Sequence, residues 1–218
     1  MDRQKPETVR AFAGRDAEQR IAEAVREEEN VRGLWFSGAE LRLETLRSLT
    51  FGDCRFQSCR FIGAASGKLA LVETVLEDCD LSNADLSSAL LRRVEFRRCR
   101  ATGLLLAHTL ANRVRMEECV CRYLNLSAAD WKSAVFQKCD LSGASIRETR
   151  LHKAVFTDCN LTGAELFHTP LGGVDLTSDD IGGILLAGGE LRGAIVTPYQ
   201  ACELARLLGV VIRNPSEE

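Results

Sequence analysis

Residues 79–100 read CDLSNADLSSALLRRVEFRRCR, and large apolar residues return there at Leu81, Leu86, Leu91 and Phe96, every fifth position. An α-helix repeats a face every 3.6 residues and a strand every 2, so neither puts these four side chains on one side. A chain that turns a corner every five residues does. Stepping outward from this stretch, the register runs from Val31 to Val196, through 34 units. Phe36, Leu41, Leu46, Phe51, Phe56 and Phe61 hold the central position early, and Leu126, Trp131, Phe136, Leu141, Ile146 and Leu151 hold it later. A small residue sits two places before most centres, as at Cys54, Cys59, Ala84, Ala89, Ala134 and Cys139, with polar residues between.

Composition sets the outer bounds. A chain of 218 residues with 45% hydrophobic content is long enough to bury a core. No apolar run reaches the roughly 18 to 20 residues of a membrane span, and the opening MDRQKPETVRAFAGRDAEQR lacks the apolar centre of a secretory signal. The expectation is a cytoplasmic protein without a membrane role. Nine cysteines without a CxxC pair argue against zinc or a disulfide framework and for reduced, buried thiols. A net charge of −3 excludes a strongly basic nucleic-acid binder, so no direct nucleic-acid partner is expected.

The grammar of CDLSNADLSSA and CNLTGAEL resembles the pentapeptide-repeat family, whose loose consensus is A/C-D/N-L-x-x. The resemblance covers residues 31–196. It implies an all-β solenoid, a right-handed quadrilateral parallel β-helix with four pentapeptides per coil. The sequence checks the four independently. Cys59, Cys79, Cys99, Cys119, Cys139 and Cys159 are twenty apart, and so are Phe56, Leu76, Phe96, Met116, Phe136 and Phe156. Coils stacked at about 4.8 Å make a rod on the order of 40 Å long. Each contributes about four large inward side chains at roughly 1.5–3 kcal/mol apiece once a neighbour covers them. Volumes are traded between coils: Trp131 follows Ala111 in its column, and Leu104 accompanies the small centre Ala101.

Both open ends need covers. Residues 1–30 are read as an N-terminal helical cap, with a helix over 16–29 burying Ile21, Ala24 and Val25, and with Val9 and Phe12 in the same lid. Residues 197–218 are read as a C-terminal helix, short strand and tail. Thr197-Pro198-Tyr199-Gln200 is a capping box, Gly209 a stop, and Val210-Val211-Ile212 the strand. Tyr199, Leu204, Leu207, Leu208, Val210, Val211 and Ile212 exceed what a lid requires and form a candidate homodimer face. The resemblance supports that reading, because several pentapeptide-repeat proteins dimerise through their C-terminal ends. The weakest repeat is 62–69, with Ser66 at a centre; an unbroken coil is favoured there over a projecting loop. A second irregular zone spans 102–116.

No chemistry stands out. Gly63-Ala64-Ala65-Ser66-Gly67-Lys68 is one residue short of a phosphate-binding loop, and Leu69 replaces the metal-coordinating hydroxyl. His108, His152 and His168 fall on outward positions without a partner nucleophile. The chain is read as not an enzyme, with no cofactor and no metal. Asp179 is anomalous, since it takes the next place in the cysteine column.

Length, repeat body and C-terminal helix look like the Qnr-type quinolone-resistance branch of the family. That resemblance implies a duplex-like rod binding DNA gyrase or topoisomerase IV. Residues 31–196 hold 20 acidic and 20 basic side chains, whereas a polyphosphate mimic should be negative throughout. Two candidate partner-binding patches remain: an acidic strip with Asp175 and Asp180, and a basic cluster with Arg92, Arg93, Arg97 and Arg98. The alternative function is a general cytosolic protein-interaction scaffold.

Overall fold

The computed structural model describes residues 11–213 apart from 28, 47–48 and 66–67. Most five-residue units turn because their last residue occupies the left-handed region, with φ of 54° at Asp78, 57° at Asn83, 62° at Ser88, 55° at Arg93 and 50° at Arg98. That conformation costs a non-glycine residue about 1–2 kcal/mol. Stacking holds it in place: the amides of Asp78, Asn83, Ser88 and Arg93 donate to Arg97, Thr102, Ala107 and Asn112 of the next coil at 2.8–3.0 Å.

Four corners close one coil, and the result is a right-handed four-sided parallel β-helix. One face is a continuous ladder from Trp35–Ser37 through Arg55–Gln57, Val75–Glu77, Glu95–Arg97, Arg115–Glu117 and Val135–Gln137 to Val155–Thr157. The adjacent ladder runs from Val31–Arg32 through Thr50–Gly52, Ala70–Val72, Leu90–Arg92, Leu110–Asn112 and Asp130–Lys132 to Arg150–His152. The remaining two faces, which complete each coil, begin with Glu40–Arg42 against Arg60–Ile62 and with Ala64 against Asp85. They continue as single parallel bridges, such as Asp80 to Arg100 and Leu105 to Asn125.

The core fills this tube. Phe36, Phe56, Leu76, Phe96, Met116 and Phe136 are wholly buried in one column. Phe36 stacks on Phe56 with centroids 5.1 Å apart, and Phe136 on Phe156 at 4.9 Å. Trp131 lies in register with Ala111, stacks on Phe136 at 5.7 Å, and donates its indole N–H to the Thr109 hydroxyl at 2.8 Å. Cys59 through Cys159 form one buried column of free thiols; Cys54 and Cys121 are also buried, whereas Cys202 is exposed. Burial pushes the Cys54 thiol up to about 11.

The weak repeat keeps its coil length, since Thr50, Ala70 and Leu90 pair in steps of twenty. The irregularity is a one-residue slip that leaves Ala64 outward while Ala65 donates to Asp85 at 2.8 Å. Across 102–116 the register is regular, with Leu104 and Leu106 buried.

At the N-terminal end, α1 (Arg15–Glu27) lays Ala17, Ile21 and Ala24 over the first coil. Phe12 does not belong to that helical lid. It sits in β1 (Ala11–Ala13), paired with Trp35–Ser37, so that its ring meets Phe36 at 6.2 Å and adds a rung to the phenylalanine column. The column's period hides this, because the helix lies between Phe12 and Phe36 in the chain. Val9 lies outside the described residues. At the other end, α2 (Pro198–Leu207) covers the last coil.

Candidate functional site

The cover at the C-terminal end is fixed by polar bonds. The Thr197 hydroxyl accepts from the Gln200 amide at 3.2 Å, and Gln200 Oε1 accepts from the Thr197 amide at 2.8 Å. Gln200 Nε2 then donates to the carbonyls of Leu176 and Asp179, both at 2.8 Å. One glutamine thus closes the helix N-terminus and pairs two carbonyls of the last coils, which otherwise face the open end.

Leu204 is buried against that coil and is therefore part of the lid, not of a dimer face. The other six residues read as a dimer face remain open: Tyr199 is 74% exposed, Val211 79%, and Leu207, Leu208, Val210 and Ile212 between 37% and 51%. Val210–Ile212 is not a strand. It makes no ladder with the described residues, because a strand needs an edge to pair with and α2 covers the nearest one. Instead Gly209, at φ 81°, ends α2, and the Val210 amide returns to the Ala205 carbonyl at 3.0 Å.

The acidic strip has structural work. Asp175 Oδ1 accepts from the Thr177 amide at 2.9 Å and its hydroxyl at 2.6 Å, and Asp180 Oδ1 accepts from the Gly182 amide at 3.0 Å. Asp80, Asp85, Asn125, Asp140 and Asn160 each cap a turn in the same way, at 2.8–3.1 Å. This is the physical content of the Asp/Asn position in the repeat.

The basic cluster is largely neutralised from one coil below. Arg98 holds Asp78 at 2.8 and 3.1 Å and Glu77 at 2.7 Å, Arg93 pairs with Glu73, Arg97 meets Glu95 at 2.5 Å, and Arg100 meets Asp80 at 3.1 Å. Arg92 is left, exposed on the adjacent ladder. The signal for this pairing is the coil length itself, since most of these partners stand about twenty residues apart. The same spacing points to outward cations that the sequence reading did not single out: Arg113, Lys132 and Lys153, all exposed.

Asp179 is 6% exposed. Its Oδ1 accepts from the Cys159 amide at 2.7 Å, while Oδ2 is buried without a partner among the described residues. Burial raises its carboxyl above the ordinary value, and the charges of Asp158 and Asp175 add to the shift, against the Cys159 bond. His108, His152 and His168 are exposed, and among the described residues no group of three His, Cys, Asp or Glu side chains is placed to hold a metal. No described helix is long and apolar enough to cross a membrane.

Comparison with known proteins returns the repeat. A pentapeptide repeat region model matches residues 49–126, and a model of eight pentapeptide repeats matches 115–152 and 139–177, together more than half of the chain. No curated protein matches the sequence. Among solved structures, a trypsin-treated variant of QnrB1, a plasmid-mediated fluoroquinolone resistance protein, shares 20% identity at a TM-score of 0.40, covering 94% of this chain and 99% of that one. Full-length QnrB1 shares 16% at 0.37, covering 83% and 100%. HetL of Nostoc sp. strain PCC 7120, a pentapeptide repeat protein involved in heterocyst differentiation regulation, shares 20% at 0.24, covering 77% and 89%. At these TM-scores the likeness carries no argument, and the family rests on the two repeat models.

Proposed function

The chain belongs to the pentapeptide-repeat family, and from that premise we propose that it is a non-enzymatic protein-binding rod that pairs with a second copy through its C-terminal end. The observation that carries this is the apolar patch of Tyr199, Leu207, Leu208, Val210, Val211 and Ile212, all open to solvent beside a lid already sealed by Leu204 and Gln200. A contiguous apolar patch at one end of a polar rod fits an isologous contact. Light scattering at tens of micromolar tests it. A dimer is expected, and Leu207→Asp with Val211→Asp should yield monomers of unchanged melting temperature; a wild-type monomer overturns the pairing.

The finer reading, a cytoplasmic modulator of DNA gyrase or topoisomerase IV, rests on the repeat grammar and the capped rod shared with the Qnr-type branch. The charge pattern limits how such a rod would act. Its acids are mostly tied up in turns and inter-coil ion pairs, so an acidic grip would have to be local, near Asp175 and Asp180. A gyrase supercoiling assay with and without ciprofloxacin tests the reading. Inhibition or drug rescue at micromolar protein supports it; no effect and no binding to either gyrase subunit leaves the general scaffold. Reversing Asp175 or Asp180 to lysine also removes a turn cap, so their role is better tested with Asn, which keeps the acceptor oxygen.

A further inference from the structure

We infer that the ladder from Ala70–Val72 to Arg150–His152 is a docking face for an acidic polypeptide segment carrying apolar residues. Five rungs lie in register there, spanning about 19 Å along the rod at about 4.8 Å per step. Their outward and corner positions carry six cations, Arg92, Arg93, Arg113, Lys132, Arg150 and Lys153, against two carboxylates, Glu73 and Asp130. On the neighbouring faces several such charges find partners about one coil away, as Arg98 does with Asp78 and Arg122 with Asp140. Here the pairing runs out: Arg93 is held by Glu73, and Arg150 stands 3.9 Å from Asp130. Arg92, Arg113, Lys132 and Lys153 make no ion pair or side-chain hydrogen bond with the described residues, and all four are exposed. Arg92 and Lys132 share one column two rungs apart, and Arg113 and Lys153 share the next. Free cations therefore recur about every 10 Å in two parallel rows, close to the spacing of two turns of an α-helix, about 10.8 Å.

The apolar half of the argument lies in the same sheet. Leu90 and Leu110 are direct register partners, 46% and 58% exposed, beside Arg92 and Arg113. A phosphate backbone has nothing to place on two neighbouring leucines. A long duplex would also meet the repulsion of a chain of net charge −3, whereas a short segment feels only charges within about 8 Å at physiological salt. An acidic segment with interspersed leucines satisfies both rows and the apolar pair. The border carries His108 and Glu148 on one side and Glu95 and Arg115 on the other; Glu95 is paired with Arg97 and Arg115 with Glu117. The inference is independent of the topoisomerase reading, because its test contains no topoisomerase.

The probe is a fluorescein-labelled peptide of repeating Glu-Glu-Leu-Glu-Ser units, followed by anisotropy against the full-length protein. Saturable binding is expected, weakening as salt rises. Arg92→Glu, Arg113→Glu, Lys132→Glu and Lys153→Glu combined should weaken it by about tenfold or more. Leu90→Ser with Leu110→Ser should weaken it about threefold or more. A peptide with Lys in place of each Glu should bind the four-fold variant better than wild type, which shows the variant folded and the contact electrostatic. No wild-type binding at hundreds of micromolar overturns the inference. So does equal binding of a peptide with Ser in place of Leu, or tighter binding of a duplex oligonucleotide, since either makes the face a simple anion surface.

Discussion

The face that carries Phe56, Phe96 and Phe136 is laid down as three-residue strands, whereas the neighbouring face, which carries the cysteine column, is from Asp80 onward a series of tight turns joined by single bridges. Both obey the same five-residue register. The difference lies in the residue just before each centre. On the turn faces that place holds Asp80, Asp85, Asn125, Asp140 and Asn160, whose side chains accept the amide two residues on. On the phenylalanine face it holds Arg55, Val75, Glu95, Arg115, Val135 and Val155; the valines favour extended backbone, and the charged residues pair with neighbours instead of capping a turn. When Asp175 enters the phenylalanine face, the strands stop and a capped turn takes over.

Neighbours also vote. Arg100, Leu105 and Val120 offer no cap yet lie in turns, where the coils on either side are turned. Asp130 is the converse. It is held in a strand between Leu110 and Arg150, and its Oδ1 is buried without a hydrogen-bond partner among the described residues. Asp130 and Asp140 occupy the same repeat position with opposite consequences, and this pair allows the comparison to be tested by substitution.

The largest expected effect belongs to the strand faces, where the big side chains stack. Trp131→Ala removes a fully buried indole, its stack on Phe136 and its bond to Thr109. The loss should be about 3–5 kcal/mol in urea unfolding. Ala111→Leu in the same background should recover part of it, since Ala111 faces Trp131 in register. Failure to recover would mean that the column does not share volume between coils.

Asp140→Ala comes next. It removes the cap on Ser142, the ion pair with Arg122 at 2.5 Å and the bond from Asn160 at 3.2 Å, and should cost about 1–2 kcal/mol. Burial works against the ionised form, but Arg122 and Ser142 outweigh it and hold the Asp140 carboxyl below its ordinary value. A carboxyl depressed in the folded state contributes stability above its unfolded value, near 3.9, and loses it as pH falls toward the folded one. The difference between wild type and Asp140→Ala should therefore shrink below about pH 4. Asp179 runs the other way. Its raised carboxyl binds more protons in the folded state, so its contribution declines as pH rises through and above about 3.9. Asp179→Asn should flatten that decline in a series of melts from acid to neutral pH.

These elements also show what the chain made legible. The five-residue register, the twenty-residue coil and the inward columns are written in side-chain size, so the rod, the thiol column and the Trp131–Ala111 trade could be read directly. The capping box was equally plain, because it is local. Outward positions were harder. Arg93 and Arg98 look like part of a basic patch along the chain, and only placing the preceding coil beneath them reveals Glu73, Glu77 and Asp78. Asp175 and Asp180 look like acidic surface until their bonds to Thr177 and Gly182 are traced. Phe12 was hidden because its rung is separated from the register by α1.

The smallest expected effect has the opposite sign. In Asp130→Thr the β-branched side chain suits the strand that Leu110 and Arg150 impose, and the unpartnered Oδ1 disappears. What is lost is an ion pair at 3.9 Å whose Arg150 side chain is 73% exposed, a contact worth little. A gain of about 0.5–1 kcal/mol should appear in urea unfolding with an unchanged slope. The same substitution also removes one of the two carboxylates from the basic ladder, so the acidic probe peptide should bind Asp130→Thr somewhat more tightly than wild type. Destabilisation similar to that of Asp140→Ala would show that the aspartate caps its unit on either kind of face, and that strand and turn are chosen by something other than this position and its neighbours.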